Sequence, residues 1–159
     1  MTKDARFEDG GDTPLRLIAL DADDLAVVSA LAQDAVFPIT EMQWRPKRRQ
    51  FAILINRFRW EDAETAGRRK RPVERVQSVL AVSDVLKVQS QGLDRGEKDM
   101  VLSLLSIAFE PGEDGTGRLM LTLAGDGAIA LEVEALEVAL QDVTRPYIAP
   151  SRQAPRHPE

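Results

Sequence analysis

The 159-residue chain contains no cysteine. Disulfides, thiolate metal sites and cysteine nucleophiles are thereby excluded, and a reducing cytoplasm suits such a chain. Histidine is almost as scarce. The one residue, His157, falls in the terminal stretch RQAPRHPE, where a polar chain end holds a side chain poorly in place. A transition-metal site would need carboxylates alone, and neither Ser-His-Asp nor Cys-His catalysis has a usable base. Long apolar runs are missing too: none approaches the roughly 18 to 20 residues that span a bilayer, and MTKDARFEDGGDTP has no apolar signal core. The expected location is cytoplasmic, with no membrane partner.

Motifs that carry chemistry are equally sparse. Gly112, Gly115 and Gly117 lie in PGEDGTGR, which lacks the lysine of a phosphate loop and reads as a hairpin turn. Glu113 and Asp114 lack the alternating ligands and closing glutamate of an EF-hand. The serines have no nucleophile-elbow context, and the 26 acidic residues offer no spacing that singles out an acid/base pair. No catalytic residue, metal ligand or cofactor is assigned, and the reading leans away from an enzyme. An enzyme working through carboxylates and arginines on a small acid or sugar is the minor competitor.

What is present is the composition of a folded protein, 43% hydrophobic and 30% charged. The length suits one domain. We expect a loose arm over 1–13, a globular body over 14–147 and an extended proline-rich tail over 148–159. Leu15, Leu17 and Ala19 alternate as in a short strand. Asp21 is a candidate N-cap, with Asp23 and Asp24 in the first turn, and Leu25, Val28, Leu31, Ala32 and Ala35 form one stripe of a helix over 22–36. Two strands, 41–45 and 50–60, follow around Pro46-Lys47-Arg48-Arg49. In the second, Arg57 and Arg59 alternate with Phe58 and Trp60, which places the arginines on a solvent face. EDAETAGRRKR, 61–71, reads as a short helix or a basic loop.

From Pro72 onward, short apolar segments alternate with turn residues, as antiparallel strands do. Gly125-Asp126-Gly127 is the strongest local signal, because Asp-Gly accepts the positive φ of tight hairpins. MVLSLLSIAF fits a strand or a helix, and its bounding turns favour the strand. A register shift after Glu134 suggests a β-bulge near Ala135. The fold class is α+β: one N-terminal helix, with or without a second short one, on a curved, mostly antiparallel sheet of about seven or eight strands, a roll or partly open barrel.

Charge is unevenly distributed. Between Arg45 and Arg75 stand eleven Lys or Arg and four acids, a net +7, and the remaining ten bases and twenty-two acids carry −12. Arg45, Lys47, Arg48, Arg49, Arg57 and Arg59, beside Trp44 and Trp60, are the candidate ligand-binding residues. Cations next to aromatic faces suit single-stranded nucleic acid or another anionic ligand. The competing reading makes them the wet side of a hairpin, and charged edges also keep sheets from pairing with one another. The leading expectation is a non-enzymatic interaction or accessory protein, with an unknown protein partner or a second copy meeting an exposed strand edge or apolar sheet face.

The stretches PLRLIALDADDLAVVSALAQDAV, RRQFAILINRFRWE, RVQSVLAVSDVLKVQSQGLDR, VLSLLSIAFEPGEDGTGRLMLTLAGDGAIALEVEALEV and DVTRPY resemble a family of small bacterial proteins, known mainly from alphaproteobacteria and filed as a domain of unknown function. The resemblance spans about Pro14 to Tyr147. It implies a single-domain protein and brings no site residue to any position here.

Overall fold

The computed structural model describes residues 13–94 and 96–148. The arm expected over 1–13 up to Asp12, the tail from 149 onward and His157 lie outside the described residues.

Strand β1 (Arg16–Ala19) buries Ala19 and leads into helix α1 (Ala22–Ala32). The Asp21 carboxylate accepts from the Asp24 amide at 2.8 Å, so the expected N-cap is in place. Leu25, Val28 and Ala32 form the buried stripe. The helix stops four residues short of the expected Val36, because Asp34 adopts a left-handed φ of 65° and turns the chain into β2 (Val36–Pro38). Trp60 helps to fix that end: its indole Nε1 donates to the Gln33 carbonyl at 2.8 Å, satisfying an acceptor that the last turn leaves open.

A 3-10 turn over Ile39–Glu41 precedes β3 (Met42–Arg45), which pairs with β4 (Gln50–Phe58) around a second 3-10 turn at Pro46–Arg48. A third, Trp60–Asp62, runs into the short helix α2 (Ala63–Arg68), so a helix occupies the segment read as helix or loop. The remaining strands are β5 (Glu74–Val82), β6 (Val85–Gln91), β7 (Val101–Pro111), β8 (Gly117–Leu123), β9 (Ala128–Val133), β10 (Val138–Asp142) and β11 (Tyr147–Ile148). MVLSLLSIAF is therefore strand, and Gly125 (φ 79°) with Asp126 (φ 68°) makes the anticipated hairpin turn.

The sheet has eleven strands rather than seven or eight, and every pairing among the described residues is antiparallel. Its path runs β1-β10-β5-β4-β2-β7-β8-β9-β6, with β11 added on β5 and β3 on β4. The path is open and does not close into a barrel. The shift expected as a bulge near Ala135 is a break between two strands. β9 pairs with β6 and β8, whereas β10 pairs with β1 and β5. Both halves send alternate side chains into one core, with Phe37, Ile53, Ile55, Leu80, Leu104, Leu121, Leu131 and Leu140 almost fully buried.

Helix α1 covers that core against β7, where the pairing with β8 is irregular between Leu104 and Ser106. Ser29 of the helix accepts the Ile107 amide at 2.9 Å, so the N–H next to the irregularity has an acceptor. No helix among the described residues is long and apolar enough to cross a membrane.

Candidate interaction surface

The β3–β4 hairpin positions the predicted basic residues. Arg49 closes its turn in the left-handed region, φ 52°, and its amide donates to the Pro46 carbonyl at 3.1 Å. The Arg49 carbonyl then accepts from the Val85 amide at 2.8 Å, fastening the start of β6 to the hairpin tip. Beyond that bond the two strands part. β3 pairs only with β4, and β6 only with β9, so each keeps one edge without a strand partner among the described residues.

A pocket of about 300 Å³ opens between them. It is lined by Ile39 and Thr40, by Met42 and Trp44 of β3, by Phe51 of β4, by Val88 of β6 and by Lys98. On β6, Leu86, Lys87, Gln89, Ser90 and Gln91 are all exposed. A free edge beside an apolar pocket can accept an extended chain, because the edge supplies N–H and C=O groups in strand register while the pocket receives a side chain.

The eight predicted residues separate into two groups. Trp44 lines the pocket, half-buried, and Arg45, Lys47, Arg48 and Arg49 stand exposed at the tip. Arg45 binds Gln43 at 2.6 Å, Arg49 pairs with Glu134 at 2.6 Å, and Lys47 and Arg48 form no ion pair among the described residues. Arg57, Arg59 and Trp60 lie at the other end of β4, roughly 26 Å from Arg49 at about 3.3 Å per strand residue.

The solvent face expected for Arg57 and Arg59 is not observed. Arg57 is 0% exposed and Arg59 4%. The Arg57 guanidinium meets both oxygens of Glu61 at 2.9 Å, Asp142 at 2.9 Å and the Phe58 carbonyl at 3.1 Å. Asp142 in turn accepts from Ser78 at 2.7 Å and from the Leu15 amide at 2.9 Å. Burial opposes the Arg57 charge, but Glu61 and Asp142 outweigh it, so its pKa stands above the ordinary arginine value. Arg59 pairs with Glu74 at 2.5 Å, while Asp62 joins Arg59 and Arg71. Three of the eleven cations of the 45–75 segment, Arg57, Arg59 and Arg71, are thus neutralised internally, where they clamp the Trp60–Asp62 turn that leads into α2 to β4 and β5.

Trp60 is half-buried against Phe58, ring centroids 5.3 Å apart. The Arg75 guanidinium covers the same Phe58 ring at 4.3 Å. Burial lowers the Arg75 pKa from the ordinary arginine value, with Tyr147 opposing.

Sequence reading did not find Thr40, Met42, Phe51, Val88 or Lys98. They come from four separated stretches of chain, and the only local signal was that β6 alternates poorly for a covered strand. A second, smaller pocket of about 230 Å³ on the opposite sheet face is lined in part by Glu41, Leu54, Asn56 and Gln77. Among the described residues no cluster of three His, Asp or Glu has a metal-binding arrangement.

No curated protein and no solved structure matches the chain. The model of one family, described as protein of unknown function (DUF2948), matches residues 15–157. That span covers every element from β1 to β11, and the chain belongs to this family.

Proposed function

We propose that the protein is a non-enzymatic interaction protein that takes an extended segment of a protein partner between β3 and β6. One observation carries the reading: two strand edges without strand partners among the described residues flank an apolar pocket lined from both strands. Natural sheets usually protect such edges with charge, bulges or a covering element. Here the residues between the edges are Met42, Trp44 and Val88, which suit occupation better than protection.

The test is site-specific photo-crosslinking from Thr40 and from Gln89 in cell extract, with the crosslinked peptides sequenced. Both positions are exposed, one on each side of the gap. We expect the two probes to report the same short segment of one partner, and Thr40→Arg to abolish capture from Gln89. Unrelated segments from the two probes, or capture unaffected by Thr40→Arg, would remove the gap as the binding site.

A second reading, binding of nucleic acid or another anion through the basic 45–75 segment, is favoured by Lys47 and Arg48 at the tip, which form no ion pair among the described residues. Its signature is salt-sensitive binding lost when Arg45, Lys47, Arg48 and Arg49 are reversed in charge.

A further inference from the structure

We infer that the segment taken between β3 and β6 carries one bulky apolar side chain, with carboxylates on the side of it that meets the hairpin tip. The inference rests on the strand-addition reading and assigns the chemistry of its ligand.

The apolar part follows from the pocket floor. Ile39, Met42, Trp44, Phe51 and Val88 offer carbon on every wall, and among the described residues Lys98 is the only charged one in the lining. The volume of about 300 Å³ lies at the lower limit of ligand cavities, room for an anchor rather than for a large ligand. One leucine, phenylalanine or methionine inserted there would bury its surface against side chains that are now partly wet.

The acidic part follows from what stands at the tip end. At the entrance the Ile39 amide bonds to the Met100 carbonyl at 2.9 Å, which brings Lys98 beside Ile39 and Thr40, but Glu97, Asp99 and Glu41 in the same stretches offset its charge. At the other end β3 runs into the tip, where Arg45, Lys47 and Arg48 are exposed and make no ion pair among the described residues. Thr40 lies in the 3-10 turn and Arg45 ends β3, so two residues at about 2 Å and three at about 3.3 Å separate them, roughly 14 Å in all. A ligand strand lying alongside would therefore meet the cationic tip about two residues to one side of its anchor. Opposite charges at that position steer encounter and fix register.

A polynucleotide fits less well. Its backbone cannot use the strand-spaced N–H and C=O groups of the two edges, and the two aromatic residues of the lining, Phe51 buried and Trp44 half-buried, leave little ring face for stacking. Outside the 45–75 segment the chain carries −12, so a long polyanion is repelled once it leaves the gap.

The experiment uses the full-length protein and fluorescence anisotropy with four labelled probes: a ten-residue peptide with a central leucine between aspartates, the same peptide with lysines for aspartates, the same acidic peptide with glycine for leucine, and a single-stranded ten-nucleotide RNA. We expect the first peptide to bind at least tenfold tighter than the other three. The variant Arg45→Glu combined with Lys47→Glu and Arg48→Glu, all at exposed positions, should weaken it at least tenfold and reduce its salt dependence. Thermal unfolding of the variant should match the parent, which separates lost binding from lost folding. Equal binding of the acidic and basic peptides would overturn the acidic assignment and leave strand addition standing. Equal binding of the glycine peptide would overturn the anchor. Failure of every peptide, with Thr40 and Gln89 still crosslinking to no common segment, would overturn both readings. Preferential RNA binding would replace the peptide by nucleic acid.

Discussion

Arg57 illustrates how a single residue can be misread from alternation and what that costs the molecule. On parity alone it stands opposite Phe58, and an arginine beside a phenylalanine in a strand normally belongs to solvent. Its side chain instead lies inside, joined to Glu61, Asp142 and the Phe58 carbonyl. Glu61 at i+4 was visible in the sequence, but Asp142 is 85 residues away, and no local pattern reports a partner at that distance. Replacing Arg57 by Met would leave the Asp142 carboxylate buried with only Ser78 and the Leu15 amide. We expect a loss of about 3–5 kcal/mol, the usual range for breaking a buried ion pair from one side, measured by urea denaturation. The double replacement of Arg57 by Met and Asp142 by Leu should recover part of it; Ser78 and Leu15 would still lack their acceptor. The pH dependence of the pair follows from the raised Arg57 pKa. A group whose pKa is raised on folding contributes fully below its unfolded value while its partners stay ionised, so this contribution is constant through neutral pH and lost as pH rises into strong alkali.

Elements were the most legible part of the chain. The N-terminus of α1 was readable because Asp21 and the acidic first turn are local signals; its C-terminus was not, because Asp34 turns left-handed and Trp60, 27 residues away, caps Gln33. The β9–β10 junction shows the same limit: a parity shift has one appearance in sequence whether it arises from a bulge or from a strand changing neighbours. At the β7–β8 hairpin, Gly117 appeared only as a turn residue. A Cβ there would come within 2.5 Å of the Phe109 ring and 2.6 Å of the Glu110 carbonyl, so the phenyl ring occupies the space that a side chain would need. Gly117→Ala should therefore cost about 1–3 kcal/mol through forced repacking. Its thermal midpoint should fall, whereas Gly67→Ala, with nothing within 4 Å of its added Cβ, should show no such loss.

For the whole molecule, the class of fold was readable and the order of strands was not. Short apolar segments with turns between them announce an antiparallel sheet, yet nothing local says that β1 pairs with β10 or that β6 and β3 face each other across a gap. The candidate surface belongs to that second category, since Trp44 and the tip cations were visible while Val88 and Lys98 joined them only through topology. A chain ending at residue 137 tests how far the molecule depends on the distant pairing. Lacking β10, it should show no cooperative unfolding transition by circular dichroism, because β1 loses its partner strand and β5 one of its neighbours. The same pairing has a temporal side. Ala19 meets Val138, so the first strand to leave a ribosome waits for nearly the last, roughly 6 to 24 s at about 5–20 residues per second. In the second half of that interval, once β5 has emerged, the edges of β1 and β5 that β10 will later cover are open together, and the nascent chain depends on slow misassociation, or on a chaperone, to reach its native order.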